Sequence, residues 1–345
     1  MSTYKTRMSP SDHLPLVISV DLGGTQIRAA VLQGSVLKSR VGLLTGENPT
    51  PERIMPRIFQ AIEQALDEAP AKLDQVAGIG IAAPGPLDNR TGIVFAPPNL
   101  PGWSRVPLGD IFKEHFKVPI FVENDANAAA LGEYMFGAGR GSSEMVYMTI
   151  STGIGGGVIS GGKILEGVSG TAAELGHMTI DWRGERCNCG NIGCLESIAS
   201  GTAIAHRANA MIALGQGDDL RAFALTHQTF SPEEKSAKAL SLPINARTVA
   251  MAAEAGIPLA QEIIARAAEA LGVGLVNILH IFNPELIILG GGVTQIGAIL
   301  LDPAKRIVKE RAMSVPREAA RIVLAELGPN VGLVGAGALN YHKAL

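Results

Sequence analysis

The chain has 345 residues, 47% of them hydrophobic, and a formal net charge of −3. That length fits two domains or one deep two-lobed unit, with apolar material for a sizeable core. A near-neutral balance without a Lys/Arg block argues against nucleic acid or an anionic membrane as partner, and no apolar run approaches the ~18 residues of a membrane span.

Residues 1–15 are polar and proline-containing, read as a frayed tail with no apolar signal-peptide core, so the expected compartment is the cytoplasm. Leu16–Leu22 is an apolar run that ends through Asp21 into Gly23-Gly24-Thr25. Ile27–Leu32 and Ser35–Leu43 follow as strands around a Gln33-Gly34 turn. Pro51–Ala69 has helical periodicity through Ile54, Ile58, Ala61, Ile62, Ala65 and Leu66. Val76–Ala82 is a buried strand closed by Pro84-Gly85-Pro86. Ile120–Val122 is a strand and Asp125–Phe136 an Ala-rich helix.

A second strand–turn–strand begins at Met145–Ile150, turns at Ser151–Gly156 and returns through Gly157–Ser160. It echoes residues 16–33 and reads as an internal repeat able to bracket a ligand. Gly201–Ala213, Ala246–Ala255 and the long Pro258–Phe282 follow as helices. Leu286–Leu289 is a strand running into Gly290-Gly291-Gly292, and 298–312 and 332–342 are helical. Segment 214–245 is the least readable and suggests a helix–loop insertion.

Several of these turns carry chemistry. In Asp21-Leu22-Gly23-Gly24-Thr25, bare glycine backbone and the Thr25 hydroxyl suit phosphate, and Asp21 suits magnesium held through water. An ordinary Asp-Gly turn would look the same. Thr152, Gly153, Gly155 and Gly156 form the matching turn of the second repeat, where the plainer reading is a hairpin. Gly290, Gly291 and Gly292 leave a flat face against which adenine could lie, or simply mark a tight turn. Asp125 stands where a strand meets a helix and is either the helix N-cap or a catalytic carboxylate, with Asn124 beside it to bind a hydroxyl.

All three cysteines lie between 187 and 194, ten residues beyond His177. An odd number of clustered thiols argues against a disulfide framework. His177, Cys187, Cys189 and Cys194 form instead a Cys3His set suited to tetrahedral zinc, with Gly190 and Gly193 to fold the loop back.

With Pro98–Trp103, Glu174-Leu175-Gly176-His177 and the Cys187–Glu196 cluster, these pieces occur in an order that resembles the ROK family (repressor, open reading frame, kinase) over nearly the whole chain from residue 16. Within it the similarity is to bacterial glucokinases. The resemblance implies an α/β actin-like ATPase (ribonuclease H-like) fold of two lobes around a cleft. It also implies an N-terminal lobe over 16–136 with the first phosphate turn and catalytic Asp, and a C-terminal lobe over 137–345 with the zinc loop and nucleotide site. It makes Asp125 the catalytic base and Gly85, Asn99, Asn124, Asp125, Glu174, His177 and Glu196 the sugar site. ATP, magnesium and structural zinc are the implied cofactors, glucose the first substrate, and a homodimer or homotetramer the assembly. Another hexose (fructose, mannose, allose or an N-acetylhexosamine) and a non-catalytic sugar-binding regulator are the rival readings. Family repressors carry a helix-turn-helix domain for which the roughly twenty residues before Asp21 are too few.

Overall fold

The computed structural model describes residues 13–97, 99–227 and 243–343. The chain forms two compact units. The first comprises Met1–Tyr147, Gly157–Ala173 and Ala325–Leu345, the second Met148–Gly156 and Glu174–Leu324.

The first unit is built on strands β1 (Leu16–Leu22), β2 (Gln26–Gln33), β3 (Val36–Leu37), β4 (Val41–Leu44), β5 (Val76–Ala83) and β9 (Ile120–Asn124). Their order is β3-β2-β1-β5-β9, with β4 also on β2. β1 is buried on both faces because it lies inside the sheet, antiparallel to β2 and parallel to β5. The stretch Ser35–Leu43, expected as one strand, is two short strands, β3 and β4, each pairing with β2. Helix Pro51–Glu68 starts with proline at its first position and buries Ile54, Ile58, Ala61, Ile62 and Ala65 of the expected stripe together with Met55, while Leu66 is only partly buried. Between β5 and β9, strands β6 (Leu87–Asp88), β7 (Ile93–Val94) and β8 (Val106–Pro107) form a small antiparallel sheet.

Residues 325–345 return to this unit. The C-terminal helix Val331–Lys343 packs on helix Asp125–Phe136 and on β1 and β5. The two helices cross where glycine meets glycine: a Cβ on Gly132 would sit 3.0 Å from Gly335 Cα. Glu133, fully buried, fastens the returning chain. Its carboxylate accepts from Leu327 N–H at 2.9 Å, Glu326 N–H at 3.2 Å and Ala138 N–H at 2.8 Å. Removing the acceptor strands three donors, so Glu133→Ala is expected to cost about 2–3 kcal/mol of unfolding free energy in a urea titration. The tail assigned to 1–15 falls largely outside the described residues. Its last part is held in place: Leu14 and Pro15 carbonyls accept from Gln33 Nε2 and the Tyr341 hydroxyl.

Strands β10 (Met145–Ile150), β11 (Ile154–Ser160), β12 (Lys163–Ile164), β13 (Leu286–Gly290) and β14 (Arg321–Leu324) form a second sheet in the order β12-β11-β10-β13-β14. β11 starts at Ile154, inside the glycine run, earlier than the expected Gly157. In the second unit, helix Pro258–Phe282 packs against helices Ala298–Arg311 and Ala246–Glu254. This helix is long and apolar enough to cross a membrane, contrary to the absence of such a run in the sequence reading. In the fold 67% of its most apolar window is buried, as in a core helix. Within 214–245 the structure describes a turn after helix Gly201–Ala213, a helix, Asp218–His227, and residues 243–245, while 228–242 of the expected insertion lie outside the described residues.

Candidate active site

In the first unit, registry aligns the polar groups along one edge of the sheet. Asp21 pairs with Ala82, Ala82 with Glu123, and Ala83 with Asn124. The carboxyl ends of three parallel strands therefore meet there, where groups that bind ligands gather in α/β sheets. Gly23 N–H closes the β1–β2 turn on Gln26 O at 2.9 Å. A Cβ on Gly24 would sit 2.8 Å from Asn99 Cβ and O, so the turn rests directly on Asn99. Thr25 is exposed. Asp21 is buried and paired with Arg28, its cross-strand partner in the hairpin. Burial pushes its carboxyl up and the Arg28 guanidinium pulls it back down. Arg28 Nη1 also donates to Pro329 O at 2.8 Å.

The helix that opens at Asp125 is capped by Asn124, whose Oδ1 accepts from Ala126 N–H at 2.9 Å and Asn127 N–H at 3.3 Å. The capping role weighed for Asp125 belongs to its neighbour. Asp125 is the first helical residue and exposed, with Oδ1 accepting from Ala126 N–H at 2.8 Å. Gly85 lies against Asn124: a Cβ there would be 3.1 Å from Nδ2. Glu123 points the other way, as strand alternation requires. It is fully buried and accepts from Asn89 Nδ2 at 2.8 Å, Asn127 Nδ2 at 3.1 Å and Asn124 N–H at 3.0 Å.

In the second unit, Ser151 N–H closes the second glycine turn on Gly153 O at 2.8 Å. The start of helix Gly201–Ala213 holds the same turn: Gly201 N–H donates to Ser151 O at 2.8 Å and Thr202 N–H to Thr152 O at 3.2 Å. Ser151 and Thr152 remain exposed. Beyond β13, Gly291 has φ +88°, and a Cβ there would collide with the Ile150 backbone. Packing alone explains that glycine. Gly292 faces open space and leaves room for a flat ring. The turn leads into a 3₁₀ segment, Gly292–Ile296, before helix Ala298–Arg311.

The Cys3His set converges. The four ligand atoms of His177, Cys187, Cys189 and Cys194 all lie within 4.8 Å of one another. Cys187 Sγ is 3.7 Å from His177 Nδ1, and Cys189 Sγ is 3.7 Å from Cys194 Sγ. Ligands at ~2.3 Å from a tetrahedral zinc stand roughly 3.8 Å apart, so the spacing fits that ion. Burial pushes the Cys194 thiol up to about 12 and raises that of Cys187, while the Asn191 backbone N–H lowers that of Cys189. Thiols that resist ionising beside one another need a cation to hold them as thiolates. With Nδ1 turned to the sulfurs, His177 presents Nε2 to Glu174, 4.0 Å away. The Glu174 carboxyl is raised by desolvation first, with Glu196 adding and His177 opposing. Glu196 Oε2 accepts from Ile154 N–H at 2.8 Å.

A model of the ROK family matches residues 17–343. The chain belongs to the ROK family. It is 36% identical over 327 residues to a glucokinase of Thermotoga maritima, covering 94% of this chain and 96% of that protein. It is 31% identical to a putative xylose repressor of a Caldicellulosiruptor species, covering 94% of this chain and 77% of the repressor. Among solved structures it superimposes on a ROK family glucokinase of Streptomyces griseus, in complex with glucose and AMPPNP, with TM-score 0.78 and 34% identity, covering 95% and 99% of the two chains.

The fold of this ROK chain is therefore the actin-like ATPase fold expected from its motifs. Two supporting residues escaped the sequence reading. Arg28 was legible in principle, because a hairpin across Gly23-Gly24 places it opposite Asp21. Asn89 was not, since no local pattern brings that loop under Glu123.

Proposed function

We propose that this ROK protein is a glucokinase, transferring the γ-phosphate of ATP to the 6-hydroxyl of glucose. The observation that carries the reading is Asp125, an exposed carboxylate beside the Asn124 cap, at the same sheet edge as the Asp21 glycine turn. Similarity to glucokinases over nearly the full chain supports it.

Asp125 accepts the proton of the sugar 6-hydroxyl as that oxygen bonds to the γ-phosphorus. The bond to the β,γ-bridging oxygen breaks and ADP leaves. In a loose transition state, positioning and electrostatics supply most of the acceleration. Backbone N–H groups of Gly24, Gly153, Gly155 and Gly156, with the Thr25 and Thr152 hydroxyls, receive the phosphates, and Gly23, whose own N–H closes the turn, leaves the space for their approach. Asp21, already paired with Arg28, would hold magnesium through water, an ion that would neutralise phosphate charge. Gly290–Gly292 receive adenine, on the open side of Gly292.

Asn124 and Asp125 take the 4- and 6-hydroxyl side of the sugar, next to Gly85 and Asn99. Glu174, His177 and Glu196 take the 1-, 2- and 3-hydroxyls. His177 Nδ1 and the three thiols would hold zinc, which would supply charge there and tie together the segment that carries Glu174, His177 and Glu196. The cytoplasm is the expected compartment, and a homodimer or homotetramer is the assembly a sedimentation experiment should find.

Carboxylates and an imidazole around the ring suit free hydroxyls and offer no apolar seat for an N-acetyl methyl group. A site built to bond a hydroxyl rejects analogues lacking it, because its own groups are left unpaired. Glucose should therefore show the highest kcat/KM in a coupled assay with ATP. 2-Deoxyglucose, mannose and glucosamine should be poorer, and N-acetylglucosamine nearly inert. A higher kcat/KM for fructose or an N-acetylhexosamine would replace glucose as substrate. Sugar binding without ATP turnover in the presence of sugar would favour the regulator reading. Substituting polyphosphate for ATP in the same assay identifies the donor.

A further inference from the structure

The segment that carries the Cys3His set touches the second glycine turn at both of its ends, and on the same residue. At one end is Gly176, directly before His177. A Cβ there would collide with the Ile154 carbonyl and approach Ile154 Cβ to 3.0 Å, so only glycine lets the two backbones meet. At the other end is Glu196, two residues after Cys194. Its Oε2 accepts the Ile154 N–H at 2.8 Å and leaves no room for a Cβ on Gly153. The two ends are themselves tied together. Thr179 and Cys194 form a β-bridge, Leu195 N–H donates to Met178 O at 2.9 Å, and Ile180 N–H donates to Gly193 O at 2.7 Å. Ile154 is thus gripped through its carbonyl face on one side and its N–H on the other.

We infer that Glu196 is a positioning residue for the phosphate turn, and that the Cys3His segment holds the nucleotide site in shape through Ile154 even when no sugar is present. This rests on the reading of Thr152–Gly156 as a phosphate turn. A glycine turn has little of its own to fix its N–H directions, because glycine carries the largest backbone entropy. A side-chain acceptor on the N–H of Ile154 and close packing on its carbonyl select one arrangement. On this reading Glu196 links the sugar hydroxyls to the phosphate turn within one unit, over a single side chain.

The test is a titration of purified, zinc-replete protein with Mg·AMPPNP by calorimetry, without sugar. Glu196→Ala should weaken nucleotide binding about 3–10-fold, the range expected for losing one such hydrogen bond. Glu196→Gln keeps an acceptor oxygen for Ile154 N–H and should stay within about twofold of the parent. Glu174→Ala should lower glucose affinity and leave sugar-free nucleotide affinity unchanged. Thr152→Ala serves as the reference for the turn itself. Weaker nucleotide binding in Thr152→Ala with parental binding in Glu196→Ala would overturn the positioning role and leave the functional reading standing. Parental binding in both would show that the turn does not hold nucleotide, and the site assignment would fail with it. Equal weakening by Glu196→Gln and Glu196→Ala would also overturn the inference, since the hydrogen bond would not be what matters.

Discussion

Asp125→Asn should lower kcat by about 10²–10⁴-fold while glucose binds nearly as well as before. The substitution keeps the shape of the side chain, and its Oδ1 can still accept the Ala126 N–H at 2.8 Å. The helix cap is unaffected, because Asn124 provides it. What is lost is the group that takes the proton from the attacking hydroxyl. Steady-state kinetics with ATP, and glucose binding measured by calorimetry, separate the two effects. A variant that turns over at the parental rate would reduce Asp125 to a first-turn acidic residue that favours the helix dipole. Loss of glucose binding in step with kcat would make it a binding group and not the base.

Loss of a zinc ligand should have the second largest effect. Cys194 is buried, its thiol lies 3.7 Å from Cys189 Sγ, and it starts the segment that leads to Glu196. About one zinc per chain should copurify with the parent protein. Cys194→Ser should lose more metal affinity than the ~10–100-fold that changes outside the ligand set cost. Binding energy of a structural ion is folding energy, so the melting temperature should fall as well. Glucose affinity should fall too, because Glu174, His177 and Glu196 sit on the loosened segment. Elemental analysis of protein prepared without chelator, with thermal melts and glucose titrations, reads all three. Parent protein without zinc would remove the metal centre, and a variant with unchanged glucose affinity would detach the zinc loop from the sugar.

Much of this was legible locally. A strand that ends in Asp-x-Gly-Gly-Thr, a glycine run after a second strand, and three thiols within eight residues of one another are short-range patterns. Each constrains backbone or ligand chemistry whatever lies around it. The apolar stripe of Pro51–Glu68 and the two strand–turn–strand units followed from periodicity in the same way. The family order of these motifs identified the fold.

Other features depend on residues far apart in the chain. Whether Asn124 or Asp125 caps the helix turns on backbone geometry at one residue, and both types cap well. The brace under Asn124 needs Asn89, brought in by a loop 34 residues away. The return of the C-terminal helix to the first sheet needs the Gly132–Gly335 crossing and the Glu133 clip, neither of which has a sequence period. The grip on Ile154 joins Gly176, Glu196 and a turn more than twenty residues before either. Sequence by itself determined which groups could bind phosphate, metal and sugar, because that is set by side-chain and backbone chemistry at each position. Tertiary structure alone decided which of those groups hold one another in place, because hydrogen bonds and close contacts between distant segments exist only once the chain has packed.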